Sequence, residues 1–353
     1  MNTLINKMTL LLILLIIILI IKIIINKFFY LDEYFINLGH SHFIDIFPKY
    51  YFKYKKKDNI LTRNNNEHIK RKEFNSMKCR TVINNKLKTM NKFKELKDIK
   101  VPFPKSIEYD RTIDTKNSIL NKININNIKY PIVIKPVNES QGIGVHVNIK
   151  SINELFYYIN NALNKYNILQ IQEMIEGENY RILVLNGKII DILHRTVPYI
   201  IGDGKSSIKE LIDKRNKKRK RGTETKIITE SYIKQQGYTN INIDIPAIGR
   251  YVYITKTINY HNGSDIIAYP IDNVHSDTLK MLKDMMKKLD CTIGGIDYIS
   301  KDLTKSFKES GNGSIIEINS GPYYNIHIRK DDKLLIANKI VNELDKYYDT
   351  IFT

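Results

Sequence analysis

Cysteine is nearly absent: 353 residues hold only Cys79 and Cys291, far apart in the chain. That scarcity argues against a disulfide framework and fits a reducing compartment. It also leaves no ligand spacing for a zinc site, so the two read as ordinary thiols. Acidic side chains are short too, 37 against 56 Lys and Arg, for a net charge of +19. Such a surplus suits an anionic partner such as ATP, phospholipid or nucleic acid. Ile, Asn and Lys abound everywhere, however, which marks a compositional bias of the source. The sequence holds no nucleic-acid module, and no nucleic acid is expected as a partner. Internal repeats, a Walker A loop and a dinucleotide fingerprint are all missing. With 42% hydrophobic residues the chain can still bury a sizeable core, as one large domain or two ordinary ones.

The N-terminus stands apart. Residues 10–21 are unbroken Leu and Ile, and after Lys22 the run resumes to end at Phe28, Phe29 and Tyr30. From Met8 this is about the length of a spanning helix, with Lys22 placed to snorkel. A cleaved signal peptide is the competing reading, but no small residues follow the run to form a cut site. An uncleaved anchor over residues 1–30 is the expectation. Lys/Arg after the segment (Lys22, Lys27, Lys49, Lys53, Lys55 to Lys57) outnumber Lys7 before it, which predicts a single-pass membrane protein with its bulk on the cytoplasmic side. Residues 31–77 read as a basic linker, either lying on an anionic membrane surface or simply solvated.

From residue 78 the pattern turns globular. Helices are predicted over 86–97, 152–163, 207–215, 276–289 and 334–348. Strands are predicted over 130–135, 168–172, 180–185, 188–193, 251–257, 292–299 and 314–318. Hairpins mixed with helices argue an α+β domain over 78–333, followed by a C-terminal helix in 334–353.

Three constellations carry chemistry. In the first, a strand delivers Lys135 and a loop from Ser140 to Gly144 follows. Gly142 and Gly144 let backbone N–H groups approach phosphate oxygens, and Ser140 offers a hydroxyl. Taken alone, a strand with an exposed lysine and a hairpin turn explains it more simply. In the second, a strand ends in the hinge Gln172, Glu173, Met174 and Ile175, which can frame an adenine, with Asn179 placed for ribose hydroxyls. An ordinary hairpin is the plain alternative. In the third, a strand ends at Asp297, and Glu317 and Asn319 stand two apart on the next, sharing one face. Two carboxylates and an amide oxygen suit Mg²⁺ shared with phosphates, with Mn²⁺ a substitute. His194 and His275 read as structural, and the basic run 214–221 as a solvated insertion or a site for an acidic peptide or lipid.

In this order the three constellations resemble the ATP-grasp superfamily. The closer resemblance is to the ATP-grasp domain of cyanophycin synthetase and of bifunctional glutathione synthetases. It extends to Asn186-Gly187, to Gly202-Asp203-Gly204-Lys205 with its following helix, to Gln236-Gly237, and to Gly321-Pro322 with His327. The resemblance implies an α+β ATP-grasp fold, two α+β subdomains clasping ATP, here preceded by one transmembrane helix. It implies a ligase that phosphorylates a carboxylate and passes the acyl group to an amine of an amino acid or peptide. Lys135 and the 140–144 loop would hold phosphates, residues 172–175 adenine, and Asp297, Glu317 and Asn319 Mg²⁺. Arg181 and Arg195 would be catalytic, stabilising the transferring phosphoryl group or the carboxylate. An earlier ATP-site lysine is expected at Lys88 or Lys92. Asn179 departs from the usual acidic residue, as do Tyr323 and Asn325 from the usual Gly and Arg. A small-molecule kinase, or a non-catalytic nucleotide-binding protein tethered at a membrane, are the alternatives.

Overall fold

Strand alternation in this chain sends one residue in two to a helix-covered core and the next to an open cleft. The computed structural model describes residues 75–137, 139, 143–219, 224–256, 258–260, 263–309, 311–322 and 326–327. It also describes six helical positions between 336 and 346 and the backbone of 52–55, 60–63 and 67–70. The expected membrane span and the Ser140, Gly142, Tyr323 and Asn325 positions lie outside the described residues. Among those described, no helix is long and apolar enough to cross a membrane.

Three short strands, Phe52–Lys55 (β1), Ile60–Arg63 (β2) and Glu67–Lys70 (β3), pair antiparallel in that order. They occupy the stretch read as a linker, for which no strand was expected. Helices Met77–Ile83 (α1) and Lys86–Glu95 (α2) follow. Next come Ser106–Asp110 (β4), helix Lys116–Ile125 (α3), Ile132–Pro136 (β5), His146–Ile149 (β6), helix Ile152–Leu163 (α4) and Ile168–Glu173 (β7). The strands form an antiparallel sheet in the order β4-β7-β5-β6. Ile107, Tyr109, Ile132, Ile134, Leu169 and Ile171 leave one face of this sheet to pack on Ile119, Ile123, Leu155 and Ile159 of α3 and α4. Side-chain oxygens of Thr115 and Ser151 accept from the third backbone N–H of those helices and fix where they begin.

The second sheet starts with the hairpin Glu178–Leu185 (β8) and Lys188–Thr196 (β9). Asn186 and Gly187, both at positive φ, make the turn that a tight hairpin demands. A small unit follows: Tyr199–Ile201 (β10), helices Ile208–Lys218 (α5) and Glu230–Lys234 (α6), and Tyr251–Tyr253 (β11), with Ile200, Ile208, Leu211, Ile233 and Val252 in its core. The predicted strand over 251–257 is therefore shorter than expected. Strand Asp265–Ala268 (β12), helix Ser276–Lys288 (α7), Ile293–Ser300 (β13) and Ser314–Asn319 (β14) complete an antiparallel sheet ordered β12-β9-β8-β13-β14.

Helix α7 buries Met281, Leu282, Met285 and Met286 against Ile182, Val184, Ile296 and Ile318 of that sheet, together with Met90 and Phe93 of α2. Each such side chain contributes about 1.5–3 kcal/mol when buried. The basic run is not simply solvated. It begins inside α5, and Arg215 and Arg219 both pair with Asp265 on the edge strand β12.

The reading of the cysteines as thiols is overturned. Cys79 in α1 and Cys291 just before β13 form a disulfide across 212 residues, with Cα atoms 5.3 Å apart. Linear separation hid a contact that tertiary packing creates. Closing so long a loop restricts the unfolded chain, by about 2–5 kcal/mol. We expect Cys79→Ser, or treatment with a thiol reductant, to lower Tm by on the order of 5–15 °C. The reductant should have no further effect on the variant, as thermal melts with and without it will show.

Candidate active site

Each sheet turns its second face to a shared cleft. On β7 the residues between the core positions are Gln170 and Gln172, with Gln170 directly opposite Lys135 of β5. On the larger sheet one transverse row runs Glu317, Asp297, Arg181, Leu193 across β14, β13, β8 and β9. A second row holds Asn319 and Gly295 on β14 and β13. Asp297 and Glu317 are thus direct partners within β13 and β14, and Asn319 lies two residues further along β14.

Charge dominates the geometry. Asp297 Oδ1 accepts from the Arg181 guanidinium at 2.8 Å and lies 3.1 Å from that of Arg195. Burial opposes ionisation of Asp297, but Arg195 and Arg181 outweigh it and hold the carboxyl below its usual range. Gly295 makes the arrangement sterically feasible. A Cβ there would sit 2.5 Å from the Arg181 guanidinium carbon. Arg195 is fixed in turn by donating from Nε to Asn179 Oδ1 at 2.8 Å. Asn179, expected to meet a ribose, is engaged within the sheet instead.

Two lysines reach the same cleft, Lys135 from the smaller sheet and Lys86 from α2. Lys135 is buried, and desolvation lowers its pKa to about 8, with Glu317 and Asp297 pulling the other way and Lys86 adding repulsion. Lys86, the first residue of α2, donates to the Glu139 carbonyl at 2.6 Å and lies 3.8 Å from Glu317 Oε1. Lys86, not Lys88 or Lys92, therefore occupies the place expected for the earlier lysine. Lys88 is exposed on the same helix, and Lys92 pairs with Glu95. Counting helix register forward from the Asn85 cap would have found it, because the first helical residue projects back past the helix end.

The hinge departs from expectation in detail. Glu173 faces away from Gln172; its carboxylate accepts from the Lys129 backbone and lies near Lys105. Met174 donates its N–H to Pro131. Met174 and Ile175 are half-buried at the strand end, and Gly144 turns at positive φ against Pro136 and Tyr166. His194 pairs with Glu178, and His275 caps α7 through Nδ1.

The cation set can be tested on these contacts. Both guanidinium contacts to Asp297 fall on Oδ1, so Oδ2 is the oxygen that would meet a metal. Asn319 turns its Nδ2 toward the Gly295 carbonyl at 3.4 Å, so its Oδ1 is the acceptor for one. No group of three or more His, Cys, Asp or Glu suited to a metal occurs among the described residues. Two carboxylates and an amide fit Mg²⁺ only if a ligand's oxygens complete the shell.

Two antiparallel sheets, each covered by helices on one face and meeting across a charged cleft, with a lysine strand on one and an acidic strand pair on the other, define an ATP-grasp domain. Comparison with known proteins agrees. The family model described as D-ala D-ala ligase C-terminus matches residues 96–242. Cyanophycin synthetase of Synechocystis sp. is 30% identical over 246 residues, 66% of this chain and 27% of the relative. The glutathione biosynthesis bifunctional protein GshAB of Clostridium perfringens is 29% identical over 258 residues, 70% of this chain and 32% of the relative. The chain thus spans about a third or less of the curated relatives it matches. The crystal structure of a bifunctional glutathione synthetase from Pasteurella multocida superposes with a TM-score of 0.56 at 21% identity, covering 83% of this chain and 41% of that one. The chain thus has the ATP-grasp α+β fold and is similar in sequence to part of cyanophycin synthetases and of bifunctional glutathione synthetases.

The depressed Lys135 pKa gives a signed pH dependence. Unfolded, this lysine keeps its proton to about pH 10.4. Between about 8 and 10.4 the unfolded chain binds the extra proton, so Lys135 contributes stability that rises with pH through that window. Affinity for a triphosphate should run the opposite way, falling as pH climbs past 8, with proton uptake on binding. Calorimetric titration in two buffers of different ionisation enthalpy at pH 9 should show that uptake. Lys135→Met should abolish it.

Proposed function

We propose that the chain is an ATP- and Mg²⁺-dependent carboxylate–amine ligase acting on an amino acid or peptide. One observation carries this reading. Four cations, Lys86, Lys135, Arg181 and Arg195, converge on two carboxylates, Asp297 and Glu317, in one cleft. A positive surplus between low-dielectric walls selects a polyanion. The names of the relatives, synthetases and ligases, support its being ATP in a bond-forming reaction.

In the reaction a substrate carboxylate oxygen attacks the γ-phosphorus and the bond to ADP breaks, leaving an acylphosphate. An amine then attacks the acyl carbon, phosphate departs, and the amine loses its proton to solvent. Lys135 binds the phosphates from the smaller sheet, and Lys86 reaches them from α2, whose buried residues pack with the larger sheet. Arg181 and Arg195 face the equatorial oxygens or the carboxylate from the larger sheet, with their orientation fixed by Asp297 and Asn179. Asp297, Glu317 and Asn319 would hold Mg²⁺, which neutralises phosphate charge when bound. None of these groups needs to act as a general base, because the work is positioning and charge neutralisation.

The test is ATP-dependent phosphate release by the full chain in detergent, with a panel of amino acids and acidic peptides. Release should require both a carboxylate and an amine. Glu317→Ala should lower kcat by at least about 100-fold with Tm nearly unchanged, and Lys86→Ala should weaken ATP binding while Lys88→Ala does not. Phosphoryl transfer that persists without any amine would make the protein a kinase instead.

The same reading places the domain at a membrane, tethered by the apolar run of residues 8–30 with the catalytic part on the cytoplasmic side. What supports it is the sequence. A helix apolar all round would expose Leu and Ile to water at a cost of roughly 25 cal/mol per Å² unless a bilayer covers it. After cell fractionation the full-length protein should resist extraction by high salt and by carbonate. Release by either wash excludes a spanning anchor.

A further inference from the structure

The hairpin of the small unit turns an apolar face to water. Strands β10 and β11 pair with Tyr199 opposite Tyr253 and Ile201 opposite Tyr251, while Ile200 and Val252 between them enter the unit's core. The alternate residues therefore share the outer face. There the Tyr199 ring lies 5.1 Å from that of Tyr251 and 6.2 Å from that of Tyr253. Ile201, Tyr251 and Tyr253 are 41% to 50% exposed. Ile248 extends the face, 80% exposed on a loop that Gly249 ties to the end of β10 by donating to the Gly202 carbonyl. An apolar cluster left in water in this way marks a contact surface.

Its surroundings are cationic. Residues 199–256 hold 13 Lys and Arg against 6 Asp and Glu. Asp203 and Asp244, the carboxylates nearest the face in sequence, are turned onto their own loops. The first accepts from the backbone N–H groups of Lys205 and Ser206, the second from those of Thr239 and Asn240. Lys205 and Arg250 flank the face, are exposed, and make no ion pair among the described residues. Tyrosine and isoleucine bordered by free cations suit an anionic bilayer, with the rings at headgroup depth and the cations on the phosphates. The face also projects rather than encloses. Ile248 offers a protein partner no pocket of the kind that anchors an interface, whereas a bilayer needs none.

We propose that the outer face of β10 and β11, with Ile248, docks the domain onto an anionic lipid bilayer. This rests on the membrane placement above and adds a second, reversible contact to it. The apolar run of residues 8–30 holds the chain at the bilayer but leaves open which way the domain faces, and the docked hairpin fixes that. Tyr199 follows Arg195 by four residues, no more than about 14 Å of chain. Docking therefore holds the strand that carries Arg195 at a set height above the lipid.

The experiment places a polarity-sensitive fluorophore on the full chain at Ile248→Cys and, separately, at Ile113→Cys, which is 77% exposed just past β4. Cys79 and Cys291 are joined and buried, so each variant carries one free thiol. The chain is reconstituted in vesicles of phosphatidylcholine alone or with about 30% phosphatidylserine, with brominated acyl chains as quencher. At low salt the label at 248 should shift to the blue and be quenched in the phosphatidylserine vesicles, while the label at 113 does neither. High salt should reverse the effect by screening the headgroups. Lys205→Glu with Arg250→Glu should lower the ratio of docked to free label at 248 by roughly 10-fold or more, with Tm unchanged. Tyr251→Ser with Tyr253→Ser should lower it as well. A label at 248 that stays aqueous in vesicles retaining the chain through a carbonate wash overturns docking and leaves the anchor standing. Equal quenching at both positions, or in phosphatidylcholine alone, also overturns it. A chain that carbonate releases, but whose label at 248 is quenched in phosphatidylserine vesicles before the wash, overturns the anchor and supports docking.

Discussion

The Arg181–Asp297–Arg195 cluster is the constraint on which the site depends. A buried carboxylate between two guanidinium groups is costly to assemble, and removing any one member would strand the others' charge. The fold accommodates it by geometry. Gly295 leaves room for Arg181, Asn179 fixes Arg195, and antiparallel register sets all of them on one face. Once Asp297 is neutralised within its own sheet, Lys135 across the cleft and Lys86 on α2 are left in excess over Glu317. Desolvation lowers the Lys135 pKa, and the attraction of Glu317 offsets only part of it. A site that is stressed when empty gains most from an anionic ligand.

Parts of this were legible in the sequence and parts were not, for identifiable reasons. Glu317 and Asn319 share a face because strands repeat every two residues, and Asp297 follows from a Gly-Gly strand pairing with them. Helix α4 was readable to the residue because Ser151 caps it and its apolar stripe is regular. Strands β4 and β12 went unread. The first follows two prolines closely, and the second is an edge strand with half its residues exposed. Helix α3 was unread as well, since its apolar residues are diluted by Asn and Lys. Gly144 and the Lys135 strand were placed by pattern, whereas Glu173 and Met174 were assigned to the hinge without regard to which face each would take.

Lys86 and the cysteines show a different limit. Both depend on contacts between segments hundreds of residues apart, or on the exact start of a helix, which periodicity does not specify. The disulfide also bears on compartment. Such bonds persist most readily in oxidising surroundings, while the lysines after the apolar run favour the cytoplasmic side. Exchange requires a thiolate to reach a sulfur atom, and Cys79 and Cys291 are both buried. Burial slows reduction whichever side the domain occupies, so the bond does not by itself reverse the orientation the charges indicate.

The disulfide also has a neighbourhood that explains why the first helices sit where they do. Asn75, just before α1, donates to the Ile293 carbonyl and accepts from the Ile293 N–H, extending the edge of β13 with a side chain. Ser320, just past β14, donates to Asn84 between α1 and α2. Cys291 binds Cys79 two residues before β13 begins. Three fasteners thus tie one helix pair to the ends of the two strands that carry Asp297, Glu317 and Asn319. The next residue after that junction but one is Lys86, whose ammonium bridges Glu317 and the backbone that follows β5. Phosphate positioning tolerates errors of only about 0.5 Å. A lysine on a short helix could not meet that tolerance by its own packing. Anchored at both its approach and its exit to the acidic strands, it is held in the same frame as the carboxylates it must face.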